Sequence, residues 1–222
     1  MNIATYIDHT LLKPTAQETD IITLCEDAKQ YGFYAVCVNG CWIETCNHLL
    51  EDSDVKLAVV AGFPLGAGGK FSKIYEVKNA VINGADEVDM VMNIGFAKNG
   101  KWDFILNEIK LCKADIGVNV LKVIIETCFL TENEIKKATE IILQSGADFI
   151  KTSTGFGTGG ATLSDIAIMK SVIGDAPLKI KASGGIKDYE TAMRFIEAGV
   201  QRIGTSNGIA IVQHKPTLGN EY

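Results

Sequence analysis

Residues 83–91 read NGADEVDMV, and three other stretches repeat its grammar: YGFYAVCVN at 31–39, SGADFIKTS at 145–153 and AGVQRIGTS at 198–206. In each, a glycine closes a segment with helical spacing, and a short apolar run of strand length follows at once. Glycine in that place fits a left-handed helix C-terminus, and the next residues open a strand. Helix, glycine and strand recurring in this order mark stacked βα units with parallel strands.

Working outward, eight strand-like runs can be counted: Tyr6–Asp8, Ala35–Asn39, Lys56–Ala61, Glu87–Asn93, Leu121–Glu126, Phe149–Thr152, Leu178–Ala182 and Arg202–Gly204. Helical spacing fills the gaps over Glu18–Tyr31, Trp42–Leu50, Phe71–Asn83, Trp102–Ala114, Glu132–Ser145, Leu163–Ile173 and Tyr189–Ala198, with a short last helix from about Asn207. Eight such units predict a single-domain (β/α)8 TIM barrel spanning residues 1–222, with a short polar tail from about 213. An open doubly wound sheet is the alternative. It lacks the GxGxxG expected after its first strand, and the glycine-rich loops of this chain come late.

The chain has 222 residues, 47% of them hydrophobic, and a formal net charge of -6. That length suits one domain with a full core. The acidic balance, without a basic patch, argues against nucleic-acid or membrane-surface partners. No apolar run approaches the roughly 20 residues of a membrane span, and the first residues do not read as a secretion signal, so a cytoplasmic location is expected. None of the six cysteines forms a CxxC pair, and His9, His48 and His214 lack ligand spacing. Reduced thiols and neither metal nor cofactor are therefore expected.

In such a barrel, chemistry gathers where the strands finish. The first strand offers Asp8, the second Cys37, the fourth Asp89, the sixth Lys151 and the seventh Lys181. Strand parity turns Asp89 toward the barrel axis and Val88 and Met90 toward the helices; it turns Lys181 inward and Ile180 outward. Lys122 has inward parity too, at a deeper place. Ionised groups inside a barrel are costly unless paired, so a network serving only its own satisfaction is one reading. Two close lysines suggest another. Each ammonium disfavours charging of its neighbour, one amine is left free to attack a carbonyl, and a carboxylate holds the other lysine charged.

Glycine-rich loops follow the last three strands: STGFGTGG, ASGGIKD and GTSNGIA. Backbone amides at such turns and at a helix N-terminus bind phosphate, and this fold often places that site after strands seven and eight. A phosphorylated, sugar-like substrate is the expectation.

At YIDHTLLKP, AVCVN, VVAGFPLG, GADEVDMVMNIG, LKVIIETCFLT, GADFIKTSTGF, IKASGGIKD and RIGTSNG the chain resembles the class I deoxyribose-phosphate aldolases along nearly its whole length. The resemblance implies a metal-independent lyase that splits 2-deoxy-D-ribose 5-phosphate into acetaldehyde and D-glyceraldehyde 3-phosphate, acting as a homo-oligomer (dimer or tetramer). It implies Lys151 as the Schiff-base lysine, Lys181 as the lysine that makes that amine available, and Asp89 as a member of the proton relay. Lys122, Cys37 and Asp8 would surround them. Gly155, Gly184, Gly185, Ser206 and Asn207 would hold the phosphate, Asn207 standing where many members have a serine or another small residue. Some relatives bring a C-terminal tyrosine near the substrate, here Tyr222. Three rivals stay open: another class I barrel aldolase, a phosphosugar isomerase with Glu126 as its base, and a non-catalytic phosphosugar-binding regulator.

Overall fold

A computed structural model of the chain describes residues 1–215. Eight parallel strands close on themselves in chain order, β1-β2-β3-β4-β5-β6-β7-β8. They are β1 (Ile7–Leu11), β2 (Ala35–Val38), β3 (Lys56–Ala61), β4 (Glu87–Val91), β5 (Val120–Ile124), β6 (Phe149–Lys151), β7 (Lys179–Ser183) and β8 (Arg202–Thr205). The main covering helices are α1 (Glu18–Tyr31), α2 (Ile43–Leu50), α3 (Lys70–Ile82), α5 (Trp102–Ile116), α6 (Glu132–Ser145), α7 (Leu163–Ile173) and α8 (Tyr189–Glu197). Two five-residue helices complete the set, α4 (Ile94–Lys98) and α9 (Gly208–Val212). The closed barrel expected from the repeats is therefore present, and the open sheet is not.

All four quoted glycines take the left-handed region, with φ of +67° at Gly32, +101° at Gly84, +80° at Gly146 and +95° at Gly199. The residue two places after the glycine does further work in three of them. Asp86 accepts a hydrogen bond from the Leu57 amide (2.9 Å), Asp148 from the Leu121 amide (2.8 Å) and Gln201, through its side-chain oxygen, from the Ile180 amide (2.8 Å). Each side chain reaches back to the preceding strand, so the entrances to β3, β5 and β7 keep no orphaned donor.

Two differences from the sequence reading concern lengths. Strand β1 runs on to Leu11, past Asp8, because His9 and Thr10 pair with Val36 and Cys37 of β2 despite their polarity. Helix α4 has no counterpart in the periodic pattern, since five residues give too little period to read.

Alternation along the strands sorts the side chains into two cores. Val88, Met90, Leu121, Val123, Ile150, Ile180 and Ile203 pack outward under the helices. Inside, the barrel is divided. The β1–β3 side holds an apolar cluster of Leu12, Ala35, Cys37, Ala58 and Val60. The rest of the interior carries buried charge: Asp8, Glu87, Asp89, Lys122, Lys151, Lys181 and Arg202.

Loops at the C-terminal mouth are drawn together. The Ala161 amide donates to the carbonyls of Ser183 (3.0 Å) and Gly184 (3.2 Å), joining the segments after β6 and β7. A Cβ on Gly160 would lie 2.1 Å from the Gly184 oxygen, so only glycine permits this approach.

One buried ion pair lies outside the barrel. Lys73 of α3 donates to Glu108 of α5 (2.8 Å) and to the Val91 carbonyl at the end of β4 (2.9 Å). Both residues are buried. Removing one partner strands a buried charge, which costs about 3–5 kcal/mol, whereas an apolar pair of similar volume is often neutral. Lys73→Met is therefore expected to lower the urea-unfolding free energy by that amount. The double variant Lys73→Met/Glu108→Met should regain most of it, and equal losses in both would contradict the pairing.

Candidate active site

Strand register sets the charged interior. Asp89 of β4 lies beside Lys122 of β5, Lys151 of β6 beside Lys181 of β7, and Lys181 beside Arg202 of β8. Lys122 Nζ stands 2.5 Å from Glu87 Oε2 and 2.7 Å from Asp89 Oδ1. Asp89 Oδ2 accepts from both Lys151 and Lys181, each at 2.8 Å. Lys181 also donates to Asp8, whose other oxygen takes Arg202 Nη1 at 2.9 Å. Arg202 reaches Glu87 as well (3.4 Å), and its guanidinium carbon sits 3.3 Å from the centre of the Tyr34 ring. Four cations thus interleave with three carboxylates, all of them buried.

Burial alone would discharge these groups, and the opposing neighbours decide otherwise. For Asp89, burial pushes the carboxyl up, but Lys122, Lys151 and Lys181 together hold it well below the ordinary carboxylate range. For Lys181, burial favours the neutral amine, yet Asp8 and Asp89 raise it above the usual lysine range. Lys122 is raised in the same way against its burial, by Asp89 and Glu87. Two carboxylates, Asp8 and Asp89, thus face Lys181, and Lys151 shares one oxygen of Asp89 with it.

Above this network, a cavity of about 210 Å³ opens at the C-terminal mouth. Lys151 lines it, and so do Gly155, Gly184, Gly185, Ser206 and Asn207. No other charged member of the network does: Asp8, Glu87, Asp89, Lys122, Lys181 and Arg202 lie beneath. The three loop glycines adopt φ of +87°, +83° and +79° at Gly155, Gly184 and Gly185, which side chains would resist. Ser206 donates to the Asn207 side-chain oxygen (3.0 Å), so Asn207 fills the place of a second hydroxyl with an amide that accepts from its neighbour.

The structure corrects the reading of the strand ends. Only Lys151 finishes its strand; Asp8, Cys37, Asp89 and Lys181 sit within theirs. Cys37 belongs to the apolar half of the interior, and burial pushes its thiol up. Glu126 points both carboxylate oxygens at Thr154 and does not line the cavity. Tyr222 lies outside the described residues.

Sequence reasoning missed Glu87 and Arg202, which share strand face with Asp89 and Gly204, and parity extended to the strand starts would have found them. It also missed Lys187, Thr10, Thr154, Ser183 and Thr205, which line the cavity from the loops and the ends of β1, β7 and β8. Lys187 and Thr154 lie in loops, which carry no period to read, whereas Thr10 and Ser183 share strand parity with Asp8 and Lys181. Among the described residues, no group of three His, Cys, Asp or Glu is arranged to hold a metal ion.

The network makes stability depend on acid. Burial would raise the Asp8 carboxyl, but Lys181, Arg202 and Lys122 bring it from 3.8 down to about 2. A carboxyl depressed in the folded state stabilises the fold above its unfolded value and loses that contribution as pH falls toward its folded value. Roughly 2 kcal/mol of unfolding free energy should therefore vanish between about pH 4 and pH 2. Denaturant titrations across that interval measure it, and a flat profile would contradict the buried pairing.

Comparison with known proteins agrees with this geometry. Residues 2–214 match the DeoC/LacD family aldolases. A deoxyribose-phosphate aldolase of Mycoplasmopsis pulmonis (strain UAB CTIP) is 51% identical over 97% of this chain and 97% of its own. The solved structure described as "QR15, an Aldolase" superposes with a TM-score of 0.91 at 44% identity, covering 95% of this chain and 94% of that one. The tetrameric deoxyribose phosphate aldolase of Aeropyrum pernix superposes with a TM-score of 0.86 at 31% identity, over 95% and 89% of the two chains. With its buried lysines, its cavity and these relatives, the chain belongs to the DeoC/LacD family of aldolases.

Proposed function

We propose that this lyase is a deoxyribose-phosphate aldolase that cleaves 2-deoxy-D-ribose 5-phosphate, reversibly, through a Schiff base on Lys151. One observation carries the reading. Of four buried cations bound into a single network, Lys151 alone also faces a cavity ringed by glycine-rich loops. A buried ion-pair network kept only for its own satisfaction has no need of such an opening.

In this reading Lys151 Nζ attacks the aldehyde carbon of the open-chain sugar. The carbinolamine loses water to give an iminium, which serves as the electron sink. Removal of the C3 hydroxyl proton breaks the C2–C3 bond, its electron pair passes into the iminium, and D-glyceraldehyde 3-phosphate departs. The enamine left on Lys151 takes a proton at C2 and is hydrolysed to acetaldehyde, restoring the amine. Asp89 touches Lys151 and Lys181 through one oxygen, which suits a proton relay between them. Lys122 and Asp8 hold Asp89 and Lys181 in place, and Cys37 belongs to the apolar wall beside them. Gly155, Gly184, Gly185, Ser206 and Asn207 grip the phosphate, with Lys187 as a nearby cation. Binding there, remote from the reacting carbons, orients the sugar. Glu126, turned away from the cavity, does not favour the isomerase alternative.

The enzyme acts, we infer, as a homo-oligomer in the cytoplasm, a setting in which its six cysteines stay reduced. No helix of the described residues is long and apolar enough to cross a membrane. Helix α3 carries Phe71, Tyr75 and Ile82 on one face, 78%, 69% and 71% exposed. A second copy is the occupant we assign to this stripe, because a tetrameric relative shares the fold.

Two tests follow. Borohydride with acetaldehyde should place an ethyl group on Lys151, found by peptide mass mapping, and Lys151→Leu should leave a folded protein without aldol cleavage. An adduct on Lys181 or Lys122 with Lys151 unmodified would overturn the assignment. Sedimentation should find the unaltered chain as a dimer or tetramer and Phe71→Glu/Tyr75→Glu as a smaller species; an unchanged assembly would clear α3 of that role.

A further inference from the structure

Glu126 follows β5 and holds φ +53° and ψ +68°, a left-handed conformation that few non-glycine residues adopt. Such a backbone is strained and persists where its surroundings over-determine it. Here they do. The Ile125 amide donates to the Lys151 carbonyl (3.0 Å) and the Thr127 amide to the Thr152 carbonyl (2.9 Å), so the residues flanking Glu126 are fastened to β6 and its loop.

The side chain is buried, 2% exposed, and spends both oxygens on one residue. The Thr154 amide donates to Oε1 (3.1 Å) and Oε2 (3.3 Å), and the Thr154 hydroxyl donates to Oε2. Hydrogen bonds to an ionised carboxylate are the stronger kind. Thr154 passes the constraint on, since its Oγ1 accepts from the Phe156 amide at 3.0 Å. Gly155 lies between these two anchored residues, and Thr154 and Gly155 both line the cavity. A Cβ on Gly157 would stand 2.9 Å from Cys128 Sγ and 3.2 Å from the Glu126 carboxyl carbon, so the loop also leaves room for the carboxylate.

We propose that Glu126 is a positioning residue for phosphate recognition: its carboxylate fixes Thr154, and through Thr154 the turn at Gly155, in the arrangement that grips the substrate's phosphate. The proposal rests on the phosphosugar reading of the cavity. Glu126 does not touch the reacting atoms; it acts through the loop after β6.

The test compares 2-deoxyribose 5-phosphate with unphosphorylated 2-deoxyribose. Glu126→Ala should lower kcat/KM for the phosphorylated sugar by about tenfold, mostly through KM. It should leave kcat/KM for the unphosphorylated sugar, and borohydride trapping of acetaldehyde at Lys151, near the unaltered values. Glu126→Gln retains an acceptor for the Thr154 amide and should fall between. If Glu126→Ala does not fold, Thr154→Val serves, for it removes the hydroxyl that joins Glu126 to the Phe156 amide while keeping the Thr154 amide on the carboxylate, and it should shift the same ratio in the same direction. An unchanged ratio between the two sugars, or an equal loss of kcat for both, overturns the positioning role. Failure of the unaltered protein to trap acetaldehyde at Lys151 would instead remove the aldolase reading beneath it.

Discussion

The Asp89 carboxylate is the contact on which the interior depends. One oxygen holds Lys122 and the other holds Lys151 and Lys181, all within 2.8 Å. Three lysines inside one barrel would repel one another and seek water. A single carboxylate at their centre, backed by Asp8 and Glu87, makes their burial tolerable. It also fixes where each ammonium points. Lys151 is anchored at the top of this arrangement, where its position at the last residue of β6 brings it to the cavity.

The rest of the molecule serves that placement. Outward-facing aliphatic residues secure the strands to the helices, so the interior is free to carry charge on one side and small apolar side chains on the other. The apolar half gathers around Cys37 and Val60, and the loops after β6, β7 and β8 line the cavity at the mouth. Gly160 and Gly184 bring two of those loops into backbone contact, and Glu126 braces the first of them from below.

Much of this was legible in the chain. Four helix–glycine–strand junctions announced the barrel, and the alternation within GADEVDMV and IKAS placed Asp89 and Lys181 inside it. The glycine loops were legible as a group because they follow three successive strands. Other features were hidden for physical reasons. Glu87 and Arg202 open their strands, where a charge ordinarily meets solvent; here it turns inward, against Asp8, Lys122 and the Tyr34 ring. Asp8 was placed at the end of a strand that in fact runs three residues further. Lys187 and Thr154 lie in loops, where no period exists. Lys73 and Glu108 stand 35 positions apart, and only the packing of α3 on α5 makes them partners.

What the sequence alone determined is therefore whatever repeats or alternates: the count of βα units, their parallel sense, the face each strand residue presents, and which residue types are available for chemistry. Backbone geometry enforces these locally, since a strand side chain has only two faces and a left-handed helix end strongly prefers glycine. Tertiary structure decided which charges meet. Asp8 and Arg202 are 194 positions apart and Lys151 and Asp89 are 62 apart, and closing the barrel sets the stagger between strands that brings them within hydrogen-bonding distance. That stagger leaves one lysine of three at the cavity and holds the other two beneath it.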